Sequence, residues 1–109
     1  MKAIDIMPVN LRRSLAQFGR GIALARRRRR IPTALMLERT GLSKRTYYLI
    51  ERGDPRVALG AYAMALHALG LSAGLTELAD PFKDVAGTLL EQERLPKRIH
   101  PVKPGSGAL

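Results

Sequence analysis

The chain of 109 residues contains no cysteine and no tryptophan, and aromatic residues make up only 5% of it. Without cysteine it has neither disulfides nor a thiolate metal site, which is compatible with a reducing compartment. The first residues lack the apolar core of a signal peptide, and no apolar run reaches the length of a membrane span. We therefore expect a cytoplasmic protein that makes no membrane contact.

Patterns typical of catalysis and of metal or cofactor binding are also missing from the sequence. His67 and His100 have no companion ligand at metal-binding spacing, so both are expected at the surface. Gly19-Arg20-Gly21 lacks the preceding strand and the third glycine of a dinucleotide-binding loop. No nucleophile and base are paired in a recognisable motif. We therefore predict no catalytic residue, no metal and no cofactor.

The positive charge is confined to one half of the chain. The net charge is +10, and residues 10–56 contain 13 Lys or Arg against 3 Asp or Glu, whereas the remaining residues contain 6 of each. Residues 75–95 are acidic, with five carboxylates against Lys83 and Arg94. A basic half followed by an acidic segment predicts one surface that faces a polyanion and a second surface for another contact.

Helical periodicity predicts an all-α protein with five or six helices. Apolar residues recur at steps of three and four, and Ala and Leu dominate the apolar set. Gly41, Gly53 and Gly70 are expected to end helices, and Ser43 to cap one. The predicted helices cover residues 11–29, 32–40, 43–52, 59–69, 72–78 and 83–94.

Residues 33–52 have the pattern of a helix-turn-helix, in which two short helices meet at a steep angle across a tight turn. Gly41 provides the turn with a residue that tolerates positive φ. The apolar residues that would fix the angle between the helices are Met36, Leu42, Tyr47 and Ile50. Taken alone, helix–Gly–helix could be a simple α-hairpin. Basic residues in the first turn of the second helix favour DNA binding, because that turn reaches base edges in the major groove.

The predicted DNA contacts fall into two groups. Base reading is predicted for residues at the start and on the outward face of the second helix, namely Ser43, Lys44, Arg45, Tyr48 and Leu49. Phosphate contacts are predicted for Thr33, Thr46, Arg26, Arg28, Arg29, Arg30 and Arg52. Arg or Lys can pair with guanine O6 and N7, whereas phosphate contacts set register without reading sequence. Alternatively, Tyr48 is an ordinary surface aromatic and the arginines at 26–30 form a solvated face that complements the helix dipole.

Residues 15–70 resemble the XRE (Cro/CI-type) helix-turn-helix family. The motifs that carry this resemblance are Leu49-Ile50-Glu51-Arg52-Gly53 and Ala68-Leu69-Gly70. The resemblance implies a lambda-repressor-like domain that binds operator DNA as a homodimer. It places Lys44 and Arg45 where the family reads bases, and Thr33 and Thr46 where the family contacts phosphates.

Three positions depart from the usual family pattern. Thr33 stands where the family usually has Gln, so the contact made there is absent or different. Leu37 stands where the family often has Ala, which alters the spacing between helices. Ala58 replaces the usual Ser or Thr cap, which favours fraying of the fourth helix.

Beyond Gly70 the sequence resembles HipB-like antitoxins, which accompany HipA-type kinases. The residues that carry this second resemblance are Ala79-Asp80-Pro81, Asp84, Gly87 and Arg94-Leu95-Pro96-Lys97-Arg98. The resemblance implies an antitoxin that represses its own operon and binds a HipA-like serine/threonine kinase toxin. Two alternatives stay open: a stand-alone XRE-family transcriptional regulator without a toxin, and an adaptor that does not bind DNA.

The predicted organisation has four parts, namely an N-terminal arm at 1–9, a helix-turn-helix DNA-binding domain at 10–80, a C-terminal helix at 81–95 and a tail at 96–109. Val85, Leu89 and Leu90 are the predicted dimer or partner contacts of the C-terminal helix, although a place in the core would explain them too. The tail is rich in Pro and Gly and is expected to be extended or disordered. It could also be an arm on DNA or a strand shared between subunits.

Overall fold

The computed structural model describes residues 6–93, which form five α-helices and two short 3-10 helices without a strand. The α-helices are α1 (Val9–Arg28), α2 (Thr33–Thr40), α3 (Lys44–Glu51), α4 (Leu59–Ala68) and α5 (Val85–Glu93). The 3-10 helices are Ser72–Glu77 and Pro81–Lys83. The prediction of an all-α protein is confirmed for this part of the chain. The predicted tail at 96–109, His100 and residues 1–5 of the predicted arm lie outside the described residues.

The chain divides into two compact units, Met1–Leu75 and Thr76–Leu109. Every buried residue among those described belongs to the first unit, which therefore contains the hydrophobic core. In the second unit, the described residues 76–93 are all exposed or half-buried. No helix in the described part of the chain is long and apolar enough to cross a membrane.

The core of the first unit draws on α1, α2, α3 and α4. Its largest fully buried side chains are Ile22, Met36, Tyr47 and Ile50. The predicted apolar roles of Met36, Tyr47 and Ile50 are confirmed, and Leu42 packs against the same core as a partly buried residue. Burial of one such side chain contributes about 1.5–3 kcal/mol. A shared core therefore holds α2 and α3 in place beside the turn that joins them.

The turn between α2 and α3 depends on Gly41 and Ser43. Gly41 ends α2 with a φ of 72°, a backbone conformation that costs a residue with a side chain about 1–2 kcal/mol. The Ser43 side chain then accepts a hydrogen bond of 3.1 Å from the backbone N–H of Thr46, in the first turn of α3. The predicted positive φ of Gly41 and the predicted cap at Ser43 are both confirmed.

Two glycines allow α1 and the end of α3 to approach each other closely. Gly53 follows α3 with a φ of 69°, and a Cβ atom added to it would collide with the backbone of Leu15. A Cβ atom on Gly19 in α1 would collide with the backbone nitrogen of Gly53 and lie 2.7 Å from the Ile50 carbonyl oxygen. The sequence predicts Gly53 as a helix end, but it carries no signal for the contact with Gly19.

The predicted helices at 72–78 and 83–94 are present, but the first is of the 3-10 type and a further, unpredicted 3-10 helix lies between them. The first helix is Ser72–Glu77, which buries no residue. Asp80 then caps the second 3-10 helix by accepting a hydrogen bond of 2.9 Å from the Phe82 N–H, and α5 begins only at Val85. A short segment that buries nothing lacks the tertiary packing that stabilises most α-helices.

Two smaller differences between the predicted and the observed helices concern residues at helix ends. The pattern places Leu59 on the buried side of α4, yet this residue is 70% exposed because it is the first residue of the helix. Pro32 is predicted inside the first turn of α2 but lies at the N-cap position, one residue earlier. Both differences concern terminal residues, where periodicity is least informative.

Candidate nucleic-acid interface

α3 has one buried face and one exposed face. Tyr47 and Ile50 are buried in the core. The exposed residues of α3 and its cap are Ser43, Lys44, Arg45 and Tyr48. Leu49, predicted to face outward, is half-buried. The predicted base-reading residues therefore lie on or beside the exposed side of a helix that the core holds in place.

The start of α3 combines a side-chain cap with an available proton donor. The Ser43 hydroxyl donates to Thr46 Oγ1 at 3.0 Å. Because this oxygen accepts from Ser43, the proton of the Thr46 hydroxyl stays available for an external acceptor such as a phosphate oxygen. The first turn of α3 contains no acidic residue, so the positive end of the helix dipole attracts an anion without competition.

Arg52 extends the basic side of α3 beyond the end of the helix. Its guanidinium donates to the Tyr48 hydroxyl at 3.2 Å, and the central guanidinium carbon lies 5.4 Å from the centre of the Tyr48 ring. Both residues are exposed. Because the ring already orients the cation, Arg52 can reach a phosphate with a smaller loss of side-chain entropy than an unrestrained arginine.

The arginine run at 26–30 closes α1 with a Schellman motif. Arg30 has a φ of 52° and donates its N–H to the Arg27 carbonyl oxygen at 2.9 Å. The N–H of Ile31 donates to the Arg26 carbonyl oxygen at 3.2 Å. These two hydrogen bonds satisfy carbonyl groups in the last turn of α1. In a Schellman motif, the left-handed position held here by Arg30 is usually occupied by glycine. The exposed members of the run are Arg27, Arg28, Arg29 and Arg30.

Arg26 does not belong to the exposed set. Its guanidinium donates from Nε and Nη2 to the two carboxylate oxygens of Glu51, at 2.7 and 3.3 Å, and from Nη1 to the Ile31 carbonyl oxygen at 3.0 Å. The Arg26 and Glu51 side chains are only 15% and 19% exposed. We therefore correct the prediction of a phosphate contact at Arg26, because three of its five N–H donors are engaged inside the protein and its side chain is mostly buried. Sequence reasoning missed the role of Glu51. The available signal was that Glu51 is the single carboxylate in α3, a helix that otherwise carries only basic charges.

A tyrosine completes this link between α1 and α3. Glu51 accepts a hydrogen bond from the Tyr47 hydroxyl as well as from Arg26. Burial raises the pKa of Glu51, but the two hydrogen bonds outweigh burial and keep this pKa below its ordinary value. Burial, reinforced by the bond to Glu51, raises the pKa of Tyr47 far above its ordinary value. Glu51 therefore stays ionised and Tyr47 neutral near pH 7.

The loop between α3 and α4 contains a cation that sequence reasoning missed. Arg56 donates from Nε and Nη2 to the two carboxylate oxygens of Asp54, at 3.0 and 2.7 Å, and from its backbone N–H at 2.8 Å. The side-chain bond from Arg56 lowers the pKa of Asp54 to about 2, against a smaller opposing effect of burial. The Arg56 side chain is 64% exposed. Because the two charges offset each other, this loop adds little net charge beside α3.

The remaining predicted contacts are also exposed. Thr33 is the first residue of α2, and its helix has no side-chain cap. In the second unit, Val85, Leu89 and Leu90 are 69%, 52% and 52% exposed. Phe82, which sequence reasoning did not single out, is 97% exposed. The described part of the second unit thus presents several large apolar side chains to solvent.

Comparison with known proteins finds no match for this chain among protein-family models, curated proteins or solved structures. Its function must therefore be inferred from its own residues and their geometry.

Proposed function

We propose that this chain is a sequence-specific DNA-binding transcriptional repressor of the helix-turn-helix type, in which α3 enters the major groove. The observation that carries the proposal is the construction of α3. Its inner face is buried, Ser43 caps its start, and Lys44 and Arg45 lie exposed in its first turn. A helix that reads bases needs this combination, because its side chains must be open on one side and held firmly on the other.

Basic and hydroxyl-bearing residues near α3 and at the end of α1 support the proposal. The residues proposed to contact phosphates are Arg28, Arg29, Arg30, Arg52, Thr33 and Thr46. The described residues of the first unit contain 13 Lys or Arg against 3 Asp or Glu. Each phosphate that a cation neutralises releases bound counterions, so the affinity for DNA should fall steeply as salt increases.

In this proposal the protein binds as a homodimer to a palindromic operator. Two copies of α3 would then lie about 34 Å apart, one turn of the DNA helix. Occupation of the operator would block transcription of the protein's own operon.

The assignment of Arg45 is tested by selecting binding sites from random duplexes. Arg45→Ala should relax the preference at one base position in each half-site and cost about 1–3 kcal/mol on the best site, because a bidentate contact with guanine is lost. Arg20→Ala is the matched control, since it removes an exposed arginine from α1 and should leave the preference unchanged. An unchanged preference in Arg45→Ala would contradict the role assigned to this residue.

DNA binding itself is measured by a mobility shift with DNA from directly upstream of the gene, at two salt concentrations and with random DNA as competitor. Salt-sensitive binding that survives the competitor is the expected result. If binding is absent or independent of salt, the repressor proposal fails and the adaptor alternative takes its place.

A second candidate function, that of a HipB-like antitoxin, is favoured by the second unit. Phe82, Val85, Leu89 and Leu90 are exposed in a segment with five carboxylates and one lysine. Exposed apolar residues in this number are typical of a protein–protein contact, here with a HipA-like serine/threonine kinase toxin. Co-purification with a kinase encoded beside the gene is the test. Leu89→Asp should abolish the complex and spare DNA binding, and a complex that persists would argue against this surface.

A further inference from the structure

α4 lies within a long stretch that carries no charge. Residues 57–76 contain no Asp, Glu, Lys or Arg, although 26% of the chain is charged. The preceding half of the chain, by contrast, is crowded with arginines. Such a stretch is ordinary where a helix is buried on all sides.

Burial does not explain the missing charge. One side of α4 packs into the core through Tyr62, Ala65 and Leu66. The opposite side carries the exposed or half-buried residues Gly60, Ala63, Met64 and His67. Together with Leu59, which is exposed at the start of the helix, these residues form the α4 face. Leu59 and Met64 are 70% and 42% exposed. A solvated helix face normally carries charged side chains, so the α4 face has the composition of a surface that another molecule covers.

An apolar groove of about 480 Å³ lies between α1 and the core-facing Leu66 of α4, and no residue of the α4 face lines it. Phe18 and Gly21 of α1 line it together with Leu66 and Leu71, and Phe18 and Leu71 are 37% and 41% exposed. A stable interface usually buries about 800 Å² on each partner. A helix of ten residues offers less than this on one side, so a dimer that packs on α4 should be weak and should depend on protein concentration.

Charge determines which molecule can cover the α4 face. The first unit carries a large positive surplus, so two copies repel each other wherever their arginines meet. Within the first unit, a second copy meets the least repulsion where arginines are absent, as on α4. An acidic partner would instead be drawn to α1 and to the basic side of α3. We propose that the α4 face is the homodimer interface, where the same face of a second copy packs, and this inference rests on the homodimer of the proposed function.

The sequence of the α4 face suits two helices in contact. A Cβ atom on Gly60 would meet nothing within 4 Å, so the space above this residue is open to a partner. Packed helices lie about 8–10 Å apart, and the side chains of one fill the grooves of the other. Small residues at 60 and 63 provide such a groove, and Leu59 and Met64 provide side chains to fill it.

The test adds a charge to the interface without disturbing the single subunit. Gly60→Arg fills open space on a helix, where arginine is a better helix former than glycine. His67→Arg adds a cation in the last turn of α4, where it favours the helix dipole. Sedimentation of the full chain without DNA, over a range of protein concentrations, should show a dimer. In either variant the dissociation constant should rise at least about tenfold, because like charges face each other.

Two control variants distinguish the α4 face from other surfaces. Leu24→Arg adds the same charge at an exposed position of α1 and should leave the dimer intact. Leu89→Arg should also leave the dimer intact. The proposal is overturned if either control variant loses the dimer while Gly60→Arg keeps it. An unmodified chain that stays monomeric at every concentration overturns it too. None of these outcomes bears on DNA binding, which the mobility shift measures separately.

Discussion

At the scale of single residues, two glycines with the same backbone conformation have different surroundings. Gly41 and Gly53 have φ angles of 72° and 69°. An added Cβ meets nothing at Gly41 but collides with the backbone of Leu15 at Gly53. Gly41→Ala should therefore lower the free energy of unfolding by about 1–2 kcal/mol. Gly53→Ala should lower it by at least about 3 kcal/mol, because α1 must also move away. Urea unfolding measures both, and equal losses would contradict the close contact.

Arg30 is the residue for which stability and DNA binding should respond in opposite directions. It occupies the left-handed position of the Schellman motif with a φ of 52°, where glycine is free of strain. Arg30→Gly should raise the free energy of unfolding by about 1 kcal/mol. It should also weaken binding to all DNA sequences and reduce the slope of log affinity against log salt concentration by about 1.

Arg30→Ala is the matched control for this prediction, because it keeps the strained backbone and removes the charge. It should weaken DNA binding as much as Arg30→Gly does and leave the stability unchanged. Full DNA affinity in both variants would remove Arg30 from the set of phosphate contacts.

At the scale of helices, the hydrogen bonds between Arg26 and Glu51 fix α3 against α1. Each single alanine variant leaves one charge unpaired in a site where the side chains are 15% and 19% exposed, so each should cost about 2–4 kcal/mol, somewhat less than a fully buried pair. The double variant should cost less than the sum, with a coupling energy of about 1–3 kcal/mol. Urea unfolding of the four proteins measures this cycle, and additive losses would contradict the link.

The same helix link has a separate consequence for DNA. If Arg26 positions α3 rather than touching a phosphate, Arg26→Ala should weaken binding to all sequences without changing the slope of log affinity against log salt concentration. A slope reduced by about 1, like that expected for Arg30→Gly, would show instead that Arg26 contacts DNA.

The order of α1 to α4 could be predicted from the sequence because local features determine it. Apolar spacing, the Ser43 cap and the glycines at 41 and 53 act within a few residues of one another. The pairing of Arg26 with Glu51 and the approach of Gly19 to Gly53 could not be predicted, since they depend on how α1 and α3 cross. The helix that begins at Ser72 was predicted, but its 3-10 type was not, because the spacing of apolar residues indicates a helical segment without showing whether anything packs on it.

At the scale of the whole molecule, charge and burial divide the chain in the same place. The described residues of the first unit hold the core and the positive surplus. Residues 76–93 bury nothing and carry five carboxylates against one lysine. The first unit therefore contains the core and the residues proposed to contact DNA, and the second contains the surface proposed for a protein partner.

A chain that ends at Leu75 tests this division of roles. Because every buried residue described lies before that point, the shortened chain should unfold cooperatively in urea, within about 1 kcal/mol of the full chain, and should keep its salt-sensitive DNA binding. It should also remain a dimer, since the α4 face is intact. A shortened chain that folds but becomes monomeric would move the interface to the second unit, whereas one that fails to fold would show that residues after 75 complete the core.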